Sequence, residues 1–201
     1  MTRKSLSTIA GFALLPGLAL LPSALRAKDA VPAPAALSVT ALSVVIESDS
    51  PHHWEIAAGS ATLSAQAVVG AGGLLDAVSK NGLQKLDLAV AVDSLKSTEG
   101  HSMMDSNAHK TLESEKFPEI RFSMKSYTLA GTSVTAQGDL TIHGQTKAVT
   151  LTAQAVAAGD GLKVSGKYPL LQTDYGVQPF GIWPMKVGNQ VTIDYDFKLA
   201  K

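Results

Sequence analysis

Val191-Thr192-Ile193-Asp194-Tyr195-Asp196-Phe197-Lys198-Leu199 alternates an apolar residue with a polar one along its whole length. Successive side chains of a strand point to opposite faces, so this stretch reads as a β-strand with one buried and one wet face. The same pattern holds for Leu86, Leu88, Val90 and Val92, which alternate with Asp87, Ala89 and Ala91, and for Ile120, Phe122 and Met124, which alternate with Arg121, Ser123 and Lys125. Outward from these, weaker strands are predicted over 39–46, 54–58, 61–69, 134–142, 148–156 and 162–167. Turn signals separate them: Ala58-Gly59, Asn81-Gly82, Ala130-Gly131, His143-Gly144, Gly159-Asp160-Gly161 and Gly188-Asn189. Many strands with one polar face each and short links argue an antiparallel sheet, closed as a barrel or folded as a sandwich. Two stretches depart from period two. Met104, Ala108 and Leu112 recur at i, i+4 and i+8 before Pro118, which predicts a short amphipathic helix from about 106 to 115; a second helical turn is expected over 73–79.

The chain has 201 residues, with 17 Lys+Arg balancing 17 Asp+Glu. The balance hides an asymmetry. Arg3 and Lys4 precede an uncharged apolar run from Ile9 to Leu21, followed by Pro22, Ser23, Ala24 and Ala27, the order of a secretory signal peptide. We read 1–27 as that signal, 28–37 as a flexible leader and 38–201 as the folded domain, with the mature chain in the periplasm or secreted and without stable membrane insertion after cleavage. Removal of 1–27 takes away Arg3, Lys4 and Arg26 and leaves 14 basic against 17 acidic residues. A mildly acidic domain lacks the basic patch that nucleic-acid binding needs. The chain has no cysteine, which excludes disulfide scaffolds, thiol nucleophiles and zinc–cysteine sites.

Little in the sequence points to catalysis. No serine sits in a Gly-x-Ser-x-Gly elbow, and Gly70-Ala71-Gly72-Gly73 lacks the Lys-Ser/Thr of a phosphate loop. His52 and His53 are adjacent on an extended segment and so face opposite sides. His101, His109 and His143 form no ligand motif, and we assign no metal and no catalytic residue. The apolar strand faces are more informative. Leu88, Val90, Phe122, Met124, Leu140, Ile142, Tyr195 and Phe197 are the inward candidates, with small residues such as Ala61, Ala65 and Ala67 leaving room beside them. An eight-stranded barrel is just wide enough to be filled by side chains or to hold one slender ligand, and the residues alone leave both open. Trp54 and Trp183, each with an apolar body and one polar atom, suit a barrel mouth. Asp174 and Tyr175 begin a loop with Gly176, Pro179, Gly181 and Pro184 that is placed to cap the barrel end.

Four segments, in order, resemble the YceI-like lipid/polyisoprenoid-binding family. They are Ser50-Pro51-His52-His53-Trp54-Glu55; Val92-Asp93-Ser94-Leu95-Lys96-Ser97 with Met104-Asp105 and Lys116-Phe117-Pro118-Glu119-Ile120-Arg121-Phe122; Gly138-Asp139-Leu140-Thr141-Ile142-His143-Gly144-Gln145-Thr146-Lys147; and Thr173-Asp174-Tyr175-Gly176-Val177 with Val187-Gly188-Asn189-Gln190-Val191-Thr192-Ile193. The resemblance implies an eight-stranded antiparallel lipocalin-like barrel with one or two short helices. It also implies a long apolar ligand in the lumen, an isoprenoid quinone or polyprenyl chain, lined by the eight inward residues above, and neither an enzymatic centre nor a cofactor other than that lipid. A homodimer stays open. The alternative is a stress-response or interaction module in which the barrel is scaffold and holds no lipid.

Overall fold

The computed structural model describes residues 33–48, 53–181 and 187–201; the segment read as a signal peptide, the run Ser50-Pro51-His52, Trp183 and Pro184 lie outside the described residues. The strands are β1 (Ala35–Ala36), β2 (Ser38–Ser48), β3 (Trp54–Ala58), β4 (Ala61–Ala67), β5 (Leu83–Ala91), β6 (Leu95–Ser97), β7 (Glu119–Ala130), β8 (Ser133–Ile142), β9 (Gln145–Ala158), β10 (Gly161–Leu171) and β11 (Gln190–Ala200). Helix α1 (Gly73–Ser79) falls between β4 and β5, and α2 (Ser102–Thr111) between β6 and β7. Every pairing is antiparallel, in the order β1-β4-β5-β7-β8-β9-β10-β11-β2-β3-β6.

These segments reduce to eight long strands. β3 pairs with β6 up to Ala58↔Leu95, and β4 pairs with β5 from Ala61↔Val90. Across the gap Gly59 N–H donates to Ser94 O (2.9 Å) and Ala91 N–H donates to Ser60 O (3.0 Å). So β3–β4 is one strand bent at Gly59–Ser60, running along β5–β6, one strand bent by the 3-10 turn Val92–Ser94. In the same way Ala35↔Ala67, the Leu37 N–H to Ala65 O bond (2.9 Å) and Val45↔Ala57 make β1 and β2 two ends of one strand. Each of the eight strands then lies beside its neighbours in sequence, and β11 returns to pair with β2 from Thr192↔Glu47 to Ala200↔Ser38. The ring of pairings closes into an up-and-down barrel, which leaves no long free edge.

Three boundaries differ from expectation. Ala58-Gly59, read as a turn between strands, is a bend within one strand; a Cβ on Gly59 would meet Ser94 O at 3.0 Å, so the backbones approach closely there. The leader read as flexible over 28–37 ends in ordered structure, because Ala35 and Ala36 pair with β4 and Leu37 is buried. Helix α2 starts at Ser102, about four residues early. Asp105 Oδ1 in its first turn accepts the Ser97 N–H (2.6 Å), anchoring the helix start to β6, and Glu113 takes a left-handed φ of 48° that ends the helix well before Pro118.

The interior divides by barrel end. One buried cluster contains Val44, Ile56, Val90, Ile120, Leu140, Tyr175 and Val191, with Met104, Ala108 and Leu112 of α2 packed against it. The other contains Ala65, Ala67, Leu74, Val78, Tyr127, Leu162, Phe197 and Leu199, so α1 is built into the opposite end. There Tyr127 Oη donates to Val78 O (2.8 Å) and accepts from Leu83 N–H (3.2 Å), which ties α1 to β7 and β5. Among the described residues no helix is long and apolar enough to cross a membrane.

Candidate functional site

Alternation along the strands places one face of each toward the lumen, and the lumen holds two adjoining cavities. The inner one, about 110 Å³, is walled by side chains including Leu88, Val90, Phe122, Met124, Leu140, Tyr195 and Phe197, together with the small residues Ala136, Ala153 and Ala155. The outer one, about 500 Å³, opens at the α2 end and is walled by residues including Ile142, Trp54, Ile56, Leu170, Tyr175 and Val191. Ile46, Ile120 and Ile193 line both, so the two share a wall deep in the barrel. All eight residues read as inward-facing therefore face one cavity or the other. The alanines do not match expectation: Ala65 and Ala67 are buried in the cluster that also holds α1's Leu74 and Val78, whereas Ala136, Ala153 and Ala155 leave the space.

Among the described residues no Lys, Arg, Asp or Glu lines either cavity. The ionic groups lie on the outer face, as in the pairs Lys125–Asp139 (2.6 Å), Lys163–Asp196 (3.0 Å) and Lys167–Asp194 (2.9 Å). There a Ser123 Oγ–H bond holds the Asp87 carboxyl below the usual carboxylate range, and hydrogen bonds to Asp194 and then Glu47 push the Lys167 ammonium up. Exposed pairs of this kind contribute little stability; with them outside, the described lumen wall is left to apolar and uncharged polar side chains and His101. Volume and apolarity together fit a ligand site, since such sites span roughly 300–1,000 Å³ and carry few polar groups.

The mouth is assembled from distant segments. Trp54 opens β3 opposite Ser48. Tyr175 closes the 3-10 turn Gln172–Tyr175, which Asn189 secures by accepting from Thr173 N–H (3.0 Å) and donating to Thr173 Oγ1 (2.9 Å). Gly176 follows with φ of 71°, a left-handed conformation that favours glycine. Tyr175 is 2% exposed, and burial, with Tyr168 and Asp174 nearby, pushes its phenol up to about 12. Asp174, read as a mouth residue, instead faces outward and lies 3.7 Å from Lys147; the chain turns over between the two residues, so only the tyrosine points in. Trp183 lies outside the described residues. His101, Asn107, Met103 and Phe180 also line the outer cavity, and Met103 and Phe180 are exposed at its rim. Sequence reading missed these four because they become neighbours only when α2 and the loop after β10 meet at the same opening.

The histidines separate. His109 Nε2 is 2.9 Å from Leu95 O, and His143 packs edge-on to Phe117 with Nε2 3.3 Å from Glu113. On the outer face His53 gathers with Glu47 and Glu55, their ligand atoms within 4.8 Å of one another, a cluster the sequence reading did not foresee because Glu47 comes from the neighbouring strand. Glu47 is already engaged by Lys167 at 3.1 Å.

Comparison with known proteins agrees with this architecture. The structure resembles BcnA of Burkholderia cenocepacia (TM-score 0.64, 17% identity, 80% of this chain and 96% of that one). It also resembles a polyisoprenoid binding domain from Saccharophagus degradans implicated in plant cell wall breakdown (TM-score 0.59, 11% identity, 82% and 97%). A third relative is the YceI protein of Campylobacter jejuni (TM-score 0.53, 17% identity, 71% and 85%). These similarities concern the fold. No curated protein sequence matches the chain. The family model for the YceI-like domain matches residues 50–199, from just before β3 to the end of β11, and with that span covering most of the barrel the chain belongs to the YceI-like family.

Proposed function

We propose that this protein is an exported, non-enzymatic binding protein that holds a long apolar lipid of isoprenoid type, a polyprenyl chain or an isoprenoid quinone, in the barrel lumen. The observation that carries this reading is the pair of adjoining apolar cavities, about 500 and 110 Å³, whose walls hold no Lys, Arg, Asp or Glu among the described residues. Each CH₂ moved from water into such a wall contributes roughly 0.8 kcal/mol, so one five-carbon isoprene unit contributes roughly 3–4 kcal/mol gross. A few units suffice for tight binding without ionic contacts, even after the cost of ordering the chain. The polyisoprenoid binding domain of Saccharophagus degradans, with the same fold, supports the ligand class. The positive N-terminus and apolar run support export to the periplasm or beyond. Titration of the lipid-stripped protein with a fluorescent polyprenyl probe, and displacement by an unlabelled isoprenoid hydrocarbon, test the reading. Saturable, stoichiometric binding is expected. Failure of every isoprenoid probe to bind overturns it and leaves the barrel a scaffold.

A further inference from the structure

The ring of pairings is weakest between β9 and β10. Their ladder runs from Gly161↔Ala158 to Gly166↔Ala153 and stops there. Past it, residues 145–152 of β9 pair with β8 and residues 167–171 of β10 pair with β11, but the two stretches do not pair with each other. Two residues account for the end of the ladder. Tyr195 Oη donates to Thr152 O (2.8 Å), so the first carbonyl beyond Ala153 is taken by a side chain and not by β10. Pro169 has no N–H to give, and a strand carries proline where that side of its backbone is left unpaired.

A cleft of about 480 Å³ lies along the split, between Lys147, Ala148 and Val149 of β9 and 168–171 of β10. Tyr168 also walls the inner lumen cavity, and Leu170 and Tyr175 wall the outer one. The same three side chains therefore face the cleft and the lumen, and the barrel wall there is one side chain thick. The described contacts that span the split near the mouth are weak. Lys147 Nζ lies 3.7 Å from Asp174 Oδ1 and 5.6 Å from the centroid of the Tyr175 ring. Both members of that ion pair are about half exposed, where such pairs hold little.

We propose that the β9–β10 split is a lateral gate through which an apolar chain passes between the lumen and the outside, with Tyr168, Leu170 and Tyr175 as the leaf and Lys147–Asp174 as the latch. This rests on the lipid-binding reading above and adds a route to it. The slit starts at the mouth, where Gln145 pairs with Ile142 of the outer chamber wall, and runs down to Gly166. Five residues at roughly 3.4 Å each give it a length of roughly 17 Å. Parting it breaks no ladder pair between β9 and β10, whereas parting a fully paired stretch of that length would break several main-chain hydrogen bonds. A tail lying along the barrel then leaves sideways and need not be drawn out end-first past α2.

The test locks the slit. The chain has no cysteine, so an introduced pair cross-links selectively. Ala148 and Leu171, both exposed, come opposite each other when the β9–β10 register is carried past its last pair. Val156 and Lys163, also exposed, are opposite within the ladder and serve as the control. Each double cysteine variant is closed as a disulfide, or with a short bis-thiol reagent where the sulfurs stand too far apart. A dansyl-labelled farnesyl chain is bound, and its transfer to phosphatidylcholine vesicles is timed before and after closure. Closing Ala148→Cys/Leu171→Cys is expected to slow transfer about tenfold or more, and reopening the bridge to restore it. A gate acts on entry and exit alike, so equilibrium affinity should stay within about threefold. Closing Val156→Cys/Lys163→Cys should change transfer less than about twofold, because that part of the seam is already zipped. Hydrogen exchange of the unmodified chain checks the split itself: over 145–152, amides turned toward β10 should exchange fast and those bonded to β8 slowly. Unchanged transfer from the locked variant, or slow exchange at every amide of 145–152, overturns the gate and leaves lipid binding intact. Failure of the unmodified chain to bind the farnesyl probe or any other isoprenoid overturns lipid binding itself.

Discussion

Ile142 and Leu140 sit two residues apart on the same face of β8, yet Ile142 borders the 500 Å³ chamber and Leu140 the 110 Å³ one. The difference gives an internal control. Adding volume to a packed interior costs about 1–3 kcal/mol, whereas a side chain growing into open space meets nothing. Ile142→Trp is therefore expected to keep its urea midpoint close to wild type while polyprenyl-probe affinity falls at least about tenfold. Leu140→Trp is expected to lose about 1–3 kcal/mol of stability. Equal losses in both variants would show that the outer chamber is filled by the protein itself. Ile142→Trp with stability and probe binding both unchanged would mean that this face of β8 points outward.

The buried phenols set an alkaline limit. Burial pushes Tyr195 up to about 12, with Asp194 adding to it, and Tyr175 likewise to about 12; Tyr127 shifts in the same direction, again chiefly through burial. A tyrosine with its pKa raised in the folded state contributes stability that is fully present below the unfolded value near 10 and is lost as pH rises toward 12. Each of Tyr175 and Tyr195 should lose about 2–3 kcal/mol across that window. Urea unfolding between pH 8 and 12 should show stability level below about 10 and falling above it. The fall should be shallower in Tyr175→Phe; a Tyr175→Phe profile superimposable on the parent's would contradict the assignment. The eight inward positions were legible in the sequence because alternation alone assigns a face. The role of Tyr175 was half legible: the loop was recognisable, but Asp174 and Tyr175 part company only through the 3-10 turn.

At the scale of elements, closure depends on glycines under aromatic rings. Gly166 of β10 is paired with Tyr195 of β11, and a Cβ there would meet Tyr195 Oη and Thr152 O, each at 2.5 Å. The tyrosine lies over the bare backbone and its hydroxyl donates to Thr152 O (2.8 Å), joining β9, β10 and β11. Gly138 similarly lies beneath the Phe122 ring, which a Cβ would meet at 2.7 Å. Such glycines let a strongly curved sheet bend without opening gaps. Gly166→Ala should displace the Tyr195 ring and cost about 2 kcal/mol or more in urea unfolding, more than the weak preference of a strand for alanine over glycine would return. A neutral Gly166→Ala would show that the ring does not rest there. Strands with strict alternation, such as β7 and β11, were readable, as were the hairpin at His143-Gly144, where both residues take positive φ, and helix α1. The bends at Gly59–Ser60 and Val92–Ser94 were not, since a glycine–serine pair reads equally as a turn. Helix α2 was displaced for a similar reason: its apolar stripe was visible, but the Asp105 contact that sets its start comes from tertiary structure.

At the scale of the molecule, charge and apolarity are separated by the barrel wall. Ion pairs decorate the outside, no Lys, Arg, Asp or Glu among the described residues lines either cavity, and the exposed Met103 and Phe180 mark the rim through which an apolar chain would enter. The topology that achieves this was implied by the family-like segments. The outer chamber was not, because it is formed where β3, α2 and the turn after β10 converge. Native mass spectrometry of the protein purified gently from its host reads the central claim at once. The account predicts a polypeptide mass starting near Lys28, with no covalent lipid, and a noncovalent adduct at one per chain that is released by organic solvent and identified as a polyprenyl lipid or isoprenoid quinone. The same spectrum reports whether the chains pair. A ligand-free spectrum from repeated preparations, in a protein that also takes up no added quinone, would contradict the account.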